Sequence, residues 1–266
     1  MTHSVEEHSG EHIHLPKPTF WPLVLGLGGG LMMMGFLIGV INGRQYWMAL
    51  PGLAVLVIAV GGWLVSNIQE RAHAPTMEGS EEMAKFAMWA FIGTECIIFG
   101  GLIANAILTW LRAPEVHEIL HKFDSVVIVS VNTFLLLASS LGVVQALAAI
   151  QRDDRKGYAR WLGLTILLGA GFLGIKAFEY SKLVHEGFTL ANAVEPFKEF
   201  APAFYFLTGF HGLHVFGGVV WASIVWARGL RGGYNSRENM GVEIFGLYWH
   251  FVDVVWIMIF TIVYLL

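Results

Sequence analysis

The chain has 266 residues, of which 56% are hydrophobic and only 14% charged, and its mean hydropathy is +0.62, so it cannot be an ordinary water-soluble domain. A net charge of −4 offers no basic footprint for nucleic acid, and the charges fall almost entirely between apolar blocks, the pattern of a polytopic membrane protein. The single cysteine, Cys96, excludes an intrachain disulfide and any thiolate cluster of the zinc or iron–sulfur kind. Packing is its expected role.

Residues 1–18 form a polar, acidic tail with His3, His8, His12 and His14, read as a flexible terminus rather than a metal-binding arm. The first apolar run follows acids and histidines instead of a basic segment and ends without a small-residue cleavage site, so it is expected to be kept as a span. Seven runs are long enough to cross a hydrocarbon core of about 30 Å, which needs around 20 helical residues. They lie near Phe20–Ile41, Tyr46–Ile68, Met83–Leu111, Val126–Ile150, Trp161–Leu183, Phe204–Ala227 and Ile244–Leu266. Backbone groups in lipid must be satisfied within the segment, so each is predicted helical.

Orientation follows from the basic residues of the connections. With the N-terminus inside, the inner segments hold Lys17, Arg71, Lys85, Arg152, Arg155, Lys156, Arg160, Arg228, Arg231 and Arg237, while the outer ones hold Arg44, Arg112, Lys122, Lys182 and Lys198. That excess predicts an inside N-terminus and an outside C-terminus.

The first helix carries two small-xxx-small spacings, Gly26 to Gly30 and Gly35 to Gly39, which predict close helix packing; a phosphate-binding glycine loop would need a preceding strand. The second ends with Trp63, Asn67, Gln69, Glu70, Arg71 and His73, a composition that suits either an interfacial anchor or a lipid headgroup site. The third contains Glu95 among apolar neighbours. An intramembrane carboxylate costs at least roughly 2.5 kcal/mol, so Glu95 is a candidate either for a proton route or for a structural hydrogen bond. Lys176 and Glu179 on the fifth helix stand at i and i+3, most simply a local ion pair.

The last two helices bring His211 and His214, one turn apart, and His250 and Asp253, also one turn apart. Histidines in facing spans raise the question of a haem or metal site. Depth opposes it, because at 1.5 Å per residue His211 lies about 10 Å below the outer boundary and His250 about 9 Å above the inner one. Within a core of about 30 Å the rings are then roughly 10 Å apart, awkward for one haem. Glu95, His214 and Asp253 fall near the midplane by the same arithmetic and can meet. The expectation is a fixed polar network tying helix seven to its neighbours, with His214 and Glu95 as partners.

Phe-His-Gly-Leu-His-Val at 210–215, followed by Tyr-Trp-His-Phe-Val-Asp-Val-Val-Trp at 248–256, resembles subunit III of the haem–copper cytochrome c oxidases. The resemblance extends to Glu95, to Asn132-Thr133 and Leu137-Ala138-Ser139 on helix four, and to Glu179-Tyr180 at the end of helix five, and so covers essentially the whole chain. It implies an all-α integral membrane protein of seven transmembrane helices in a single membrane domain, 1–266. Helices one and two (19–68) would splay from helices three to seven (83–266) to form a V-shaped cleft filled by phospholipid.

Further implications concern function. Such a subunit carries no redox centre or metal of its own. It packs beside subunit I, which holds haem and copper, in a complex whose subunit II receives cytochrome c, and it supports proton uptake and protects turnover. Glu95 resembles the family's carbodiimide-reactive carboxylate, and Trp63, Glu70, His73 and Arg228 fall where the family meets lipid headgroups. Thr94 replaces the family's common Ser, Gln69 an Arg, and Gly100 to Trp110 an aromatic stretch. The expected location is a bacterial cell membrane, with the mitochondrial inner membrane as the other setting. Alternatives are subunit III of a quinol oxidase, whose members usually lack the first two helices, and a proton-coupled transporter, which calls for internal repeats not found here.

Overall fold

A computed structural model describes residues 19–41, 49–71, 80–112, 123–185, 187–188, 198 and 200–265. These residues form α1 (Trp21–Ile41), α2 (Leu50–Arg71), α3 (Ser80–Arg112), α4 (Phe123–Gln151), α5 (Arg155–His185), α6 (Phe200–Leu230) and α7 (Met240–Phe260), the last continued by a π-helical turn, Thr261–Leu265. Five of them, α3 to α7, are long and apolar enough to cross a membrane; in α1 and α2 the described apolar stretches, Trp21–Gly35 and Leu50–Trp63, are shorter. The protein is therefore an all-helical integral membrane protein. The polar tail of residues 1–18 and the expected start of helix two at Tyr46 lie outside the described residues.

Several helices outrun the apolar segments that predict them. Helix α5 begins at Arg155 rather than Trp161, because Asp154 caps it: its Oδ1 accepts the Gly157 N–H at 2.9 Å. Its 31 residues extend about 46 Å, well beyond a core of about 30 Å, so the charged first turn lies in the interface, where hydropathy is blind.

The chain divides into two compact units, 1–77 and 78–266. In the first, α1 and α2 pack as an antiparallel hairpin. A Cβ on Gly28 would lie 2.8 Å from the Leu56 backbone nitrogen, and one on Gly52 only 2.1 Å from that of Met32. Position numbers that rise on one helix as they fall on the other fix the antiparallel register. Close packing through glycine is thus present, but not at the first spacing expected, since Gly26 and Gly30 face open space. Gly28, two positions on from Gly26, points about 200° around the helix, and that face meets α2. The Gly35–Gly39 spacing reaches into side chains outside the described set.

In the second unit α7 is the axial helix. Half of its most apolar window is buried, against 28% in α3, α5 and α6. It touches α3, α4 and α6, while α5 closes the ring against α4 and α6. Gly218 of α6 admits the Trp249 indole, which a Cβ there would meet at 2.6 Å. On the inner side by the expected orientation, two turns are tied together. Asp153 adopts a left-handed backbone (φ 57°) between α4 and α5 and accepts the Ser236 N–H at 2.8 Å from the turn between α6 and α7. Nearby, the Tyr158 hydroxyl donates to the Val225 carbonyl at 2.8 Å and the Trp226 indole to that of Ala159 at 2.9 Å.

Ser236 holds the Asp153 carboxyl below its ordinary range, through both its hydroxyl and its backbone N–H. A carboxyl whose folded value is depressed contributes stability above its unfolded value of about 3.9 and loses it as pH falls through the folded value. Protease nicking of the 231–239 turn in purified protein should therefore accelerate below about pH 4, and Asp153→Ala should nick rapidly at neutral pH as well. Asp153→Asn, which tolerates the left-handed backbone, should fall between them.

Candidate functional site

Glu95 of α3 and His214 of α6 meet in the second unit. Glu95 is 8% exposed, and its Oε2 lies 3.3 Å from His214 Nε2, within ion-pair reach though not aligned as a hydrogen bond. His214 Nδ1 is 2.9 Å from the Phe210 carbonyl, which can only accept, so Nδ1 carries a proton. Nε2 is then the ring nitrogen that faces the Glu95 carboxyl. Phe99 and Phe210 hold the imidazole edge-on at 5.2 and 4.7 Å, and the Tyr248 hydroxyl donates to the His214 carbonyl at 2.9 Å.

Lys176 and Glu179 form a second centre, with Nζ to Oε2 at 2.9 Å and side-chain exposures of 5% and 10%. Tyr264, from the terminal π turn, completes it by accepting from Lys176 Nζ at 2.7 Å and donating to Glu179 Oε1 at 2.6 Å. Four rings surround the ammonium: Trp256 at 4.9 Å, Tyr264 at 5.0 Å, Tyr180 at 5.6 Å and Phe204 at 5.7 Å. Spacing along α5 makes the ion pair visible in the sequence; Tyr264 is not, because only the widened π turn rotates it back toward the face of Trp256.

Residues of α7 expected to gather at His214 and Glu95 go elsewhere. The imidazole of His250 bonds Ser140 of α4 through Nδ1. Asp253 is 3% exposed, and neither of its oxygens has a hydrogen-bond partner in the protein. His250 and Asp253 therefore address α4, whereas Tyr248 reaches His214. Two indoles fix the same interface: Trp249 Nε1 donates to Ser139 Oγ and Trp256 Nε1 to Thr133 Oγ1, each at 2.9 Å. Fully buried His211 stacks on Trp256 with ring centroids 5.0 Å apart. Ser140 was invisible as a partner because serines on a membrane helix more often bond their own turn.

Of the headgroup candidates, Trp63 is 39% exposed on α2, and the Glu70 side chain and His73 lie outside the described residues. Arg228 is exposed at the end of α6, with its guanidinium 5.1 Å over the Tyr234 ring. Burial pushes the Tyr234 phenol up, against the opposing pull of Arg228. Among the described residues no three His, Cys, Asp or Glu side chains form a metal-binding group.

The buried triad sets a test in three variants. Lys176→Met strands a buried carboxylate and should cost about 3–5 kcal/mol, whereas Lys176→Met with Glu179→Leu should recover most of it. Tyr264→Phe should cost about 1–3 kcal/mol by removing the bridging hydroxyl. Thermal unfolding of the detergent-solubilised protein measures all three, with Glu179→Leu as the second single variant; a double variant whose loss equals the sum of the two single losses would show that the pair is not coupled.

The model of the family described as "Cytochrome c oxidase subunit III" matches residues 11–266. Cytochrome c oxidase subunit 3 of Bacillus sp. (strain PS3) is 37% identical over 72% of this chain and 88% of its own length. Quinol oxidase subunit 3 of Bacillus subtilis (strain 168) is 36% identical over 73% of this chain and 94% of its own. A protein of Rickettsia felis (strain ATCC VR-1525 / URRWXCal2) named probable cytochrome c oxidase subunit 3 is 31% identical over 95% of this chain and 94% of its own length. By near-complete family coverage and these identities, the chain belongs to the cytochrome c oxidase subunit III family, the third subunits of multi-subunit respiratory terminal oxidases.

Proposed function

We propose that this chain is the non-catalytic third subunit of a proton-pumping oxidase that passes electrons from cytochrome c to O2. It packs directly beside subunit I, which holds haem and copper, in a complex whose subunit II receives cytochrome c, and it carries no cofactor of its own. Support for the cytochrome c donor comes from the Rickettsia felis match over 95% of the chain. A quinol donor is the second reading, favoured by the 36% identity to the Bacillus subtilis quinol oxidase subunit. Purified complex that oxidises reduced cytochrome c but not a quinol decides for the first, and the reverse for the second.

The observation that carries the proposal is the buried Glu95–His214 pair. A carboxyl and an imidazole in contact within an apolar setting are groups suited to sustaining proton delivery to subunit I without themselves reacting with oxygen. In this reading all seven helices span the membrane with the N-terminus inside and the C-terminus outside, in a bacterial cell membrane or the mitochondrial inner membrane. Trp63, Glu70, His73 and Arg228 engage phospholipid headgroups. The cation of Arg228, exposed and oriented by stacking on Tyr234, suits an anionic headgroup.

Glu95→Gln should leave assembly intact while abolishing carbodiimide labelling of this chain and shortening the number of turnovers before inactivation. Labelling that persists in the variant would place the reactive carboxyl elsewhere. Arg228→Ala should lose tightly bound anionic phospholipid in native mass spectra; the full lipid complement in that variant counts against the headgroup role.

A further inference from the structure

Along the axis of the second unit, α4 and α6 bring together buried polar groups that the protein does not satisfy. His211 is fully buried, and neither ring nitrogen has a hydrogen-bond partner. An imidazole always offers at least one N–H, and in its neutral form also one acceptor, so both atoms make demands. Asp253, with neither oxygen paired, shares a face of α7 with Trp256 one turn away. Ser140 faces this carboxyl, and a hydroxyl that accepts from His250 Nδ1 still has its own proton to offer Asp253, so Asp253 is served from α4. Asn132 of α4 is also fully buried; its Nδ2 donates to the Phe172 carbonyl at 3.3 Å, and its Oδ1 is unpaired.

His211 and Asn132 share one neighbourhood. The Phe172 ring packs 5.8 Å from His211 and 4.9 Å from Trp256, and the same residue's carbonyl receives Asn132. Trp256 in turn stacks on His211. Two separate helices would not each retain an orphaned polar side chain here unless something met them, because unpaired buried polar groups are among the costliest features a fold can keep.

We propose that this axis binds internal water, held by His211 and Asn132 around the rings of Phe172 and Trp256. The ligand class follows from the donor set. An imidazole and an amide oxygen together need a partner that both donates and accepts. A metal cation cannot serve an N–H, and an anion cannot serve the amide oxygen. Water does both in a small space, and internal waters commonly make about three hydrogen bonds. This site is separate from the Glu95–His214 pair and does not depend on the donor or lipid readings.

X-ray radiolytic labelling of the detergent-solubilised native assembly, read by peptide mass spectrometry, tests the site, because radicals form from bound water where it sits. Normalised for side-chain reactivity, Trp256 and Phe172 should be labelled at least tenfold faster than Phe200 and Phe245, which are as deeply buried but have no unpaired polar neighbour among those described. Equal labelling of all four would overturn the proposal. His211→Phe should remove most of the excess at Trp256 and lower the melting temperature; a dry site predicts the opposite, a more stable variant with unchanged labelling. Should that variant fail to assemble, the comparison within the wild-type chain decides alone.

Discussion

Lipid offers no hydrogen bonds, and the second unit is built on that constraint. A buried donor without an acceptor is costly there, so a polar contact between helices fixes register where apolar packing alone would slide. Trp249 and Trp256 fill the axis with apolar bulk and anchor it through their indole nitrogens on Ser139 and Thr133 of α4. Glycine makes this geometry feasible, since Gly218 of α6 leaves the space that the Trp249 ring occupies. Because α7 is the helix that touches α3, α4 and α6, setting its rotation also sets which faces those helices present.

Two charged centres then sit on different sides of this framework. The Glu95–His214 pair joins α3 to α6, and the Lys176–Glu179–Tyr264 triad joins α5 to the end of α7. Their chemistry differs with their surroundings. Lys176 is enclosed by rings and bonded on two sides, an arrangement that holds charge still. Glu95 has one imidazole partner at 3.3 Å, not aligned as a hydrogen bond, an arrangement that holds its carboxyl less firmly.

How much of this was legible depended on whether the relevant geometry is local. The helices follow from apolar length, and the Lys176–Glu179 contact follows from a three-residue spacing on a single helix. Depth counting along straight helices also brought Glu95 and His214 to one level, where they meet. It could not give azimuth, which is why His250 and Asp253 were expected at His214 and instead face α4. Nor could it register the π turn that carries Tyr264 to the triad, a local change of helical pitch with no compositional mark in Thr-Ile-Val-Tyr-Leu. The glycines of α1 show the same limit: their spacing announces a close approach, while the choice of Gly28 over Gly26 and Gly30 depends on which face the second helix takes.

The tie between Asp153 and Ser236 bears on how the chain is made. Its partners are 83 residues apart, one in the turn between α4 and α5 and the other in the turn between α6 and α7. During synthesis the first hairpin is complete long before Ser236 leaves the ribosome, so this contact cannot form until the last pair of helices has been delivered to the same side of the membrane. It is a closing clasp, and a chain whose final hairpin is inverted or missing has no means of fastening it.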